Sequence, residues 1–239
     1  MSDDCPHKLR ERERERRAHV EKSLPRVALF PLPGAVLLPG CPMPLHIFEP
    51  RYRKMIADCL ANGRVLAIGK LDGRGAGPEV VHERPPVHPT VGVGIIDVHQ
   101  QLPDGRSIIL LGGVLRAEIV SEHDGDLPYR TVQARAICDC VPRERRQEVE
   151  TRVETLRHLV SQLATALPDS GAPELADLCR RMHSGRLADV VAGAVVLDPD
   201  ERQRVLEEGS VPERLELVTD ALADLLVKVR DDVDPRTLN

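Results

Sequence analysis

The feature that most constrains the fold is a change in hydrophobic periodicity near residue 142. From residue 24 to 141, apolar residues come in short or alternating runs separated by Pro and Gly, a pattern typical of β-strands. From residue 142 to 230, they recur every three or four positions, which is typical of amphipathic helices. We therefore predict an α+β fold, with a β-rich domain over 24–141 followed by an α-helical bundle over 142–230.

The first half contains five runs that predict strands. The third and fourth are joined by Asp104-Gly105, which favours a tight turn with positive φ, so these two runs should pair as an antiparallel hairpin. Gly92, Gly94, Gly112 and Gly113 lie inside them and indicate bulges or close backbone approach. The runs are "RVALFPL" (26–32), "VLAIGKL" (65–71), "VGVGIIDVHQQ" (91–101), "RSIILLGGVLRAEIV" (106–120) and "YRTVQARAIC" (129–138).

One helix is predicted within the β-rich half. "PRYRKMIADCLAN" (50–62) has Pro50 in the first turn and Gly63 just past the end, both common at those positions. Its apolar residues form one stripe, which predicts a helix packed on the sheet by one face. The stripe consists of Tyr52, Met55, Ile56, Cys59 and Leu60.

The second half carries clear helix signals. Apolar residues spaced four and three apart predict a long helix between residues 149 and 167, and shorter helices follow over 175–182 and 187–196. Asp198 before Pro199 predicts an N-cap, and Ser210 with Glu213 predicts a capping box that opens the last helix.

Both ends of the chain are predicted to be tails. Residues 1–23 alternate Arg and Glu with no apolar face, so nothing there should drive packing against a core. Its positive and negative charges nearly cancel, which favours a flexible, solvated, partly helical tail over a nucleic-acid-binding arm. Residues 231–239 are predicted to form a second, short tail.

The charge and composition exclude several classes of protein. The net charge of −5 provides no positive field for nucleic acid or anionic membrane, and aromatic residues make up only 2% of the chain. The six cysteines are few for a disulfide scaffold, and no apolar run is long enough to cross a bilayer. We therefore expect a cytoplasmic protein without a membrane partner, for which nucleic acid is an unfavoured ligand.

The segment "PGCPMPLHIFEP" (39–50) places His46 three residues before Glu49, a spacing that could join two groups on a helix. Pro44 and Pro50 bracket the pair and favour extended backbone, in which residues three apart point to opposite faces. We therefore predict a structural joint, with Glu49 at the N-terminus of the helix that begins at Pro50.

Other signs of catalysis are weak. Cys138 and Cys140 have no second pair at the spacing of a zinc site, so no metal is expected. The cluster "LDGRGAGPE" (71–79) is followed by prolines and not by a helix, which predicts a flexible loop and no phosphate site. A P-loop, a serine elbow and a Ser–Lys dyad cannot be recognised. We expect no enzymatic activity and no cofactor.

The string "LPRVALFPLPGAVLLPGCPMPLHIFEPRYRKMI" (24–56) resembles the opening of the Lon N-terminal domain, also called the LON substrate-binding domain. Similar stretches are "GVGIIDVHQQLPDGRSIILLGGVLRAEI" (92–119) and "LDPDERQRVLEEGSVPERLELV" (197–218), so the resemblance spans about residues 24–227. It implies a PUA-like β pseudobarrel with one inserted helix, followed by a helical bundle. The chain also resembles stand-alone members of the peptidase S16 family, which lack the ATPase and Ser–Lys protease domains.

In Lon proteases this domain helps to recognise unfolded or degron-bearing polypeptides and supports assembly of the hexamer. The resemblance therefore implies a non-catalytic polypeptide-binding module that acts on such chains or with a protease or chaperone partner. Its candidate binding residues are Phe48, Glu49, Pro50, Arg51 and Tyr52.

Three alternatives stay open. One is an RNA-binding PUA-like protein, against which charge and composition argue, and another is a scaffold for a folded partner. The third is a small-molecule pocket, although no segment matches the separate ligand-binding domain that accompanies the LON-like fold of cereblon.

Overall fold

The computed structural model describes residues 6–73 and 84–233, so most of the predicted glycine-rich loop lies outside the described residues. The chain divides into two compact units, residues 1–137 and 138–239. The first contains every described strand and two helices, and the second contains five helices.

The first unit is built on a six-stranded mixed sheet. The strand order is β2-β5-β4-β3-β1-β6, with β1 and β3 parallel and all other pairs antiparallel. A further pairing of β5 with β6 closes five strands into a ring and leaves β2 beside β5 alone. The strands are β1 (Val27–Leu32), β2 (Pro42–Ile47), β3 (Val65–Lys70), β4 (Thr90–Gln101), β5 (Ser107–Glu122) and β6 (Arg130–Ala136).

The predicted hairpin is confirmed, because β4 and β5 pair antiparallel along their length. Gly105 has a φ of +81° in the connecting turn, the left-handed conformation for which glycine is suited. The register shifts between Val93 and Gly94, so the predicted bulge also occurs.

Two helices complete the first unit, α1 (Pro6–Ser23) and α2 (Pro50–Ala61). The position of α2 agrees with the prediction, and Tyr52, Met55, Ile56 and Cys59 are buried along its stripe. This stripe shares a core cluster with residues of β1, β2, β3, β4 and β5. The burial of apolar surface on both partners fixes α2 at the end of β2.

Helix α1 differs from the predicted unpacked tail. Val20 is fully buried in the core of the sheet, and α1 contacts β4 and β5. Arg16 pairs with Asp97 at 2.8 Å, and a ring nitrogen of His19 lies 2.6 Å from the carbonyl oxygen of Gly63. Sequence pattern missed this docking because a single valine and two polar contacts create no apolar periodicity.

Strand β2 was also not predicted. Pro42 and Pro44 lack backbone N–H groups, and prolines normally argue against a strand. They are tolerated here because β2 has a single neighbour among the described strands, so one of its edges needs no donors.

The second unit is helical, as its periodicity predicted. The long apolar stripe falls on α3, where Val149, Val153, Leu156, Val160 and Leu163 are buried. The Asp198 cap was also located correctly, since Asp198 accepts hydrogen bonds from the amides of Asp200 and Glu201. The predicted capping box differs, because the amide of Ser210 donates to Glu208 at 2.7 Å and the Ser210 hydroxyl donates to the Glu213 carboxylate. The helices are α3 (Arg146–Ala166), α4 (Ala172–Cys179), α5 (Ser184–Val195), α6 (Pro199–Glu207) and α7 (Val211–Val233).

A buried charge lies inside the second unit. Arg214 is fully buried at the start of α7, with Nη2 2.8 Å from an oxygen of Asp139 and Nε 3.3 Å from one of Asp189. Its Nη1 donates to the carbonyl oxygen of Glu208 at 2.8 Å. The guanidinium therefore connects three segments of the second unit: the chain before α3 through Asp139, helix α5 through Asp189 and the α6–α7 connection through Glu208.

Candidate functional site

A groove of about 620 Å³ opens beside the joint between β2 and α2. The end of β1 forms one wall, and the end of β2 with the first turn of α2 forms another. Two connecting segments complete it, one before β4 and one before β6. The lining residues are 30–33, 45–49, 51, 52, 71, 84, 85 and 127–130.

All four phenylalanine and tyrosine residues of the chain line this groove. The chain has two Phe, two Tyr and no Trp, and Phe30, Phe48, Tyr52 and Tyr129 are all in the lining. Phe30 and Tyr52 are buried with ring centroids 4.4 Å apart, whereas Phe48 is 60% exposed. The groove thus has a fixed aromatic base and one large apolar side chain held in solvent.

Four of the five predicted binding residues reach the groove: Phe48, Glu49, Arg51 and Tyr52. Pro50 begins α2 and is not part of the lining. The guanidinium carbon of Arg51 lies 4.5 Å from the centre of the Tyr52 ring, a cation–π distance, and Arg51 also pairs with Glu49 at 2.9 Å. Burial raises the pKa of Tyr52, so its hydroxyl stays neutral at physiological pH.

His46 and Glu49 form a joint. His46 is in β2, and its ring centroid lies 6.0 Å from that of Phe48. Glu49 has extended backbone angles and caps α2, where its carbonyl oxygen accepts hydrogen bonds from the amides of Tyr52 and Arg53. Its carboxylate turns to Arg51.

Sequence reasoning missed the far side of the groove. Tyr129 donates a hydrogen bond from its hydroxyl to Asp58 of α2 at 2.8 Å, and Nη1 of Arg130 donates to the carbonyl oxygen of Pro85 at 2.7 Å. These bonds fix two segments that are distant in sequence against the joint. The scarcity of aromatic residues was the available signal, because it makes the position of each one informative.

Asp58 and Tyr129 have shifted pKa values for related reasons. Hydrogen bonds from Lys54 and then from Tyr129 lower the pKa of Asp58, and burial followed by the Asp58 hydrogen bond raises the pKa of Tyr129. The ionised carboxylate is therefore the form that holds the Tyr129 ring in the groove.

Replacing Tyr129 by Phe is expected to cost about 1 kcal/mol of stability near pH 7, because the ring stays while the bond to Asp58 is lost. Since the folded-state pKa of Asp58 is lowered, its contribution is complete above the unfolded-state value and is lost as pH falls through the folded-state value. Urea unfolding from about pH 7 to about pH 3 should show the difference between the two proteins shrinking at the acid end. A difference independent of pH would contradict this role of Asp58.

Two cysteines of the described residues are buried and have shifted pKa values. Burial raises the pKa of Cys59 to about 12 and that of Cys179 to about 11, so both thiols stay protonated and unreactive at neutral pH. Residues 6–73 and 84–233 contain no group of three or more His, Cys, Asp or Glu side chains able to hold a metal. Within the same ranges, no helix has the length and apolarity needed to cross a membrane.

Comparison with known sequences gives a consistent result. The family model described as the ATP-dependent protease La (LON) substrate-binding domain matches residues 26–224. Lon protease 1 of Herpetosiphon aurantiacus is 26% identical over 189 residues, covering 79% of this chain and 23% of that protein. Lon protease of Salinispora arenicola is 28% identical over 193 residues, covering 80% and 22%. The chain spans about a quarter of the length of the curated relatives it matches.

Solved structures share the fold. The N-terminal domain of Mycobacterium avium complex Lon protease matches with a TM-score of 0.63 at 21% identity, over 83% of this chain and 98% of that one. The Lon N-terminal domain protein from Xanthomonas campestris matches with a TM-score of 0.53 at 19% identity, over 80% and 95%. The predicted α+β class with a helical C-terminal part is thus confirmed. The match of the family model over residues 26–224 agrees with the sheet and helices of the structure and shows that the chain belongs to the LON substrate-binding domain family.

Proposed function

We propose that the groove binds apolar stretches of extended, unfolded polypeptide, and that this chain is a recognition module. The observation that carries the proposal is the gathering of all four Phe and Tyr residues of the chain around one groove. Relatives named Lon protease and a family named for substrate binding support the same conclusion.

The lining suits an apolar chain. Beside the aromatic rings it contains several leucines and the prolines 31, 33, 85 and 128, which present rigid apolar surface without backbone donors. A volume of about 620 Å³ falls within the range of pockets that enclose a small ligand, so it accepts a few side chains and not a folded domain. Phe48 and Arg51 at the rim are of the residue types that dominate binding energy in interfaces.

Binding without chemistry is the activity that this lining supports. In the part of the chain that the structure describes, the lining contains no Ser, Thr, Cys or Lys, which are common nucleophiles of covalent catalysis. The one carboxylate among the described lining residues, that of Glu49, is paired with Arg51. We therefore propose that unfolded or degron-bearing polypeptides are bound here and handled elsewhere by a protease or chaperone partner.

Phe48→Ala is expected to weaken binding about tenfold, because a ring that is 60% exposed in the free protein is buried against the bound chain. The test is fluorescence anisotropy of a labelled, permanently unfolded polypeptide at two salt concentrations, with tRNA as competitor. Leu197→Ala is the matched control, since Leu197 is 78% exposed and lies in the other unit.

Saturable binding that survives salt and tRNA, and that weakens in Phe48→Ala but not in Leu197→Ala, supports the proposal. An absence of binding up to about 100 μM, an affinity weaker than about 5.5 kcal/mol, contradicts it. Binding that falls steeply with salt and is displaced by tRNA would favour the RNA-binding alternative.

A further inference from the structure

We infer that a bound polypeptide continues beyond the groove, across an uncharged strip on the outer face of β2, β5 and β4. The site would then select long apolar segments over short ones. This inference rests on the proposed function and extends it from the groove to a second surface. The strip consists of Pro44, His46, Val98, Gln100, Ile108 and Leu110.

Strand register places these residues in two rows. In one row His46 is opposite Ile108, which is opposite Gln100, and in the other Pro44, Leu110 and Val98 are aligned in the same way. Side chains directly opposite on antiparallel strands lie about 5 Å apart, and residues two apart on a strand share a face. Val98 is 53% exposed and Ile108 is 43% exposed, so the rows face solvent.

The strip is continuous with the groove through Phe48. Phe48 follows His46 by two residues, and the centroids of their rings are 6.0 Å apart. Both residues also line the groove. An extended chain leaving the groove past Phe48 therefore meets the row of His46 and Ile108 first.

The chemistry of the strip fits the same ligand. Counting His46 as neutral, none of its six residues is charged, although charged residues make up 30% of the chain. The strip ends at the Arg16–Asp97 ion pair. Asp97 lies directly over Gly112 of β5, since a Cβ atom added to Gly112 would be 2.2 Å from it. An apolar segment is the partner that such a surface favours, because a charged one would lose its hydration without gaining a counter-charge.

The size of the strip points to an extended chain. Measured together with Phe48, which joins it to the groove, the strip runs over four residues from Pro44, or roughly 14 Å. Three strands span about 10 Å, so strip and Phe48 together cover about 140 Å². A folded partner or a second copy of the protein would need about 800 Å² on each side. An extended chain covers roughly 14 Å with about four residues.

The contact is made by side chains and not by strand addition. Pro42 and Pro44 lack backbone N–H groups, so β2 offers an incoming strand fewer donors than a regular edge would. The expected selectivity is therefore for apolar side chains along the ligand, over a length that exceeds the groove.

The test compares two labelled peptides with identical charged ends, one with an apolar stretch of about four residues and one with about eight. The protein should bind the longer peptide at least about fivefold more tightly. Val98→Thr with Ile108→Thr should remove this advantage and leave the affinity for the shorter peptide within about twofold, because threonine keeps the β-branched shape and removes apolar surface.

Val120→Thr with Val227→Thr is the matched control, since these valines are 55% and 57% exposed outside the strip. Equal affinity for both peptides, or an equal effect of the two double variants, contradicts binding along the strip. If the shorter peptide still binds in that case, the proposed binding in the groove is unaffected. Failure of both peptides to bind contradicts the proposed function itself.

Discussion

Gly92→Ala is expected to lower the free energy of unfolding by about 3 kcal/mol, the upper end of the usual cost of overpacking. A Cβ atom at this position would lie 1.9 Å from the carbonyl oxygen of Leu37, far inside van der Waals contact. The clash is with backbone, so no rotation of a side chain relieves it, and either β4 or the segment before β2 has to move.

The same change should also weaken polypeptide binding. The segment 33–41 leads into β2 and carries Leu37 and Leu38, whose carbonyl oxygens lie against Gly92 and Gly113. Displacing this segment shifts β2, and with it the joint that presents Phe48 to the groove. We expect binding of unfolded polypeptide to fall together with stability in Gly92→Ala.

Urea unfolding followed by far-UV circular dichroism measures the change, since the chain has no tryptophan to report by fluorescence. Gly73→Ala is the control in the same unit, because a Cβ atom there meets no atom of the described residues within 4 Å. Equal stability of the two variants would show that the approach of Leu37 to β4 is not a constraint on the fold.

Local signals in the sequence were sufficient for α2, for the helices of the second unit and for the central hairpin. The stripe of α2, its Pro50 start and the Asp198 cap depend on residues within one or two turns, so their spacing can be read directly. The β4–β5 hairpin is similarly local, because Asp104 and Gly105 fix the turn and the alternating residues on either side fix the register.

The groove could be predicted only in part, because its walls come from distant positions. The joint around Phe48 and Tyr52 was identified through a family resemblance, whereas Tyr129 and Arg130 reach it only when β6 pairs with β1 and β5. Hydrophobic periodicity carries no information about which connecting segments meet. Strand β2 was missed for a different reason, since prolines normally argue against a strand and are tolerated only at an edge such as this one.

The low aromatic content has a different meaning in the folded protein. Averaged over the chain, 2% aromatic residues argues against tight recognition of any ligand. Gathered around one groove, the same four rings give it a buried base of Phe30 and Tyr52 and one exposed apolar side chain, Phe48. A low aromatic content limits how many aromatic-lined grooves the chain can form, but it does not limit how many aromatic rings one groove contains.

Arg214→Met is expected to destabilise the helical unit by about 3–5 kcal/mol, the usual cost of removing one partner of a buried ion pair. Arg214 is fully buried and Asp189 nearly so, at 0% and 3% side-chain exposure, so neither charge is stabilised by water. Removing the guanidinium takes away the positive charge that lies 3.3 Å from the buried Asp189 carboxylate, and it removes the donor Nη1 from the Glu208 carbonyl.

The double variant Arg214→Met with Asp189→Leu separates charge burial from loss of packing. Apolar replacement of a buried pair is often close to neutral, so the double variant should recover most of the stability lost by Arg214→Met alone. Arg180→Met is the control, because Arg180 pairs with Asp177 at 3.4 Å with both side chains about three-quarters exposed, and surface pairs contribute about 0–1 kcal/mol. The urea midpoints of the three variants are the measurement. If the double variant is as unstable as Arg214→Met, the loss of stability comes from the shape of the arginine and its backbone contacts. In that case the buried charge of Asp189 is not what makes Arg214 necessary.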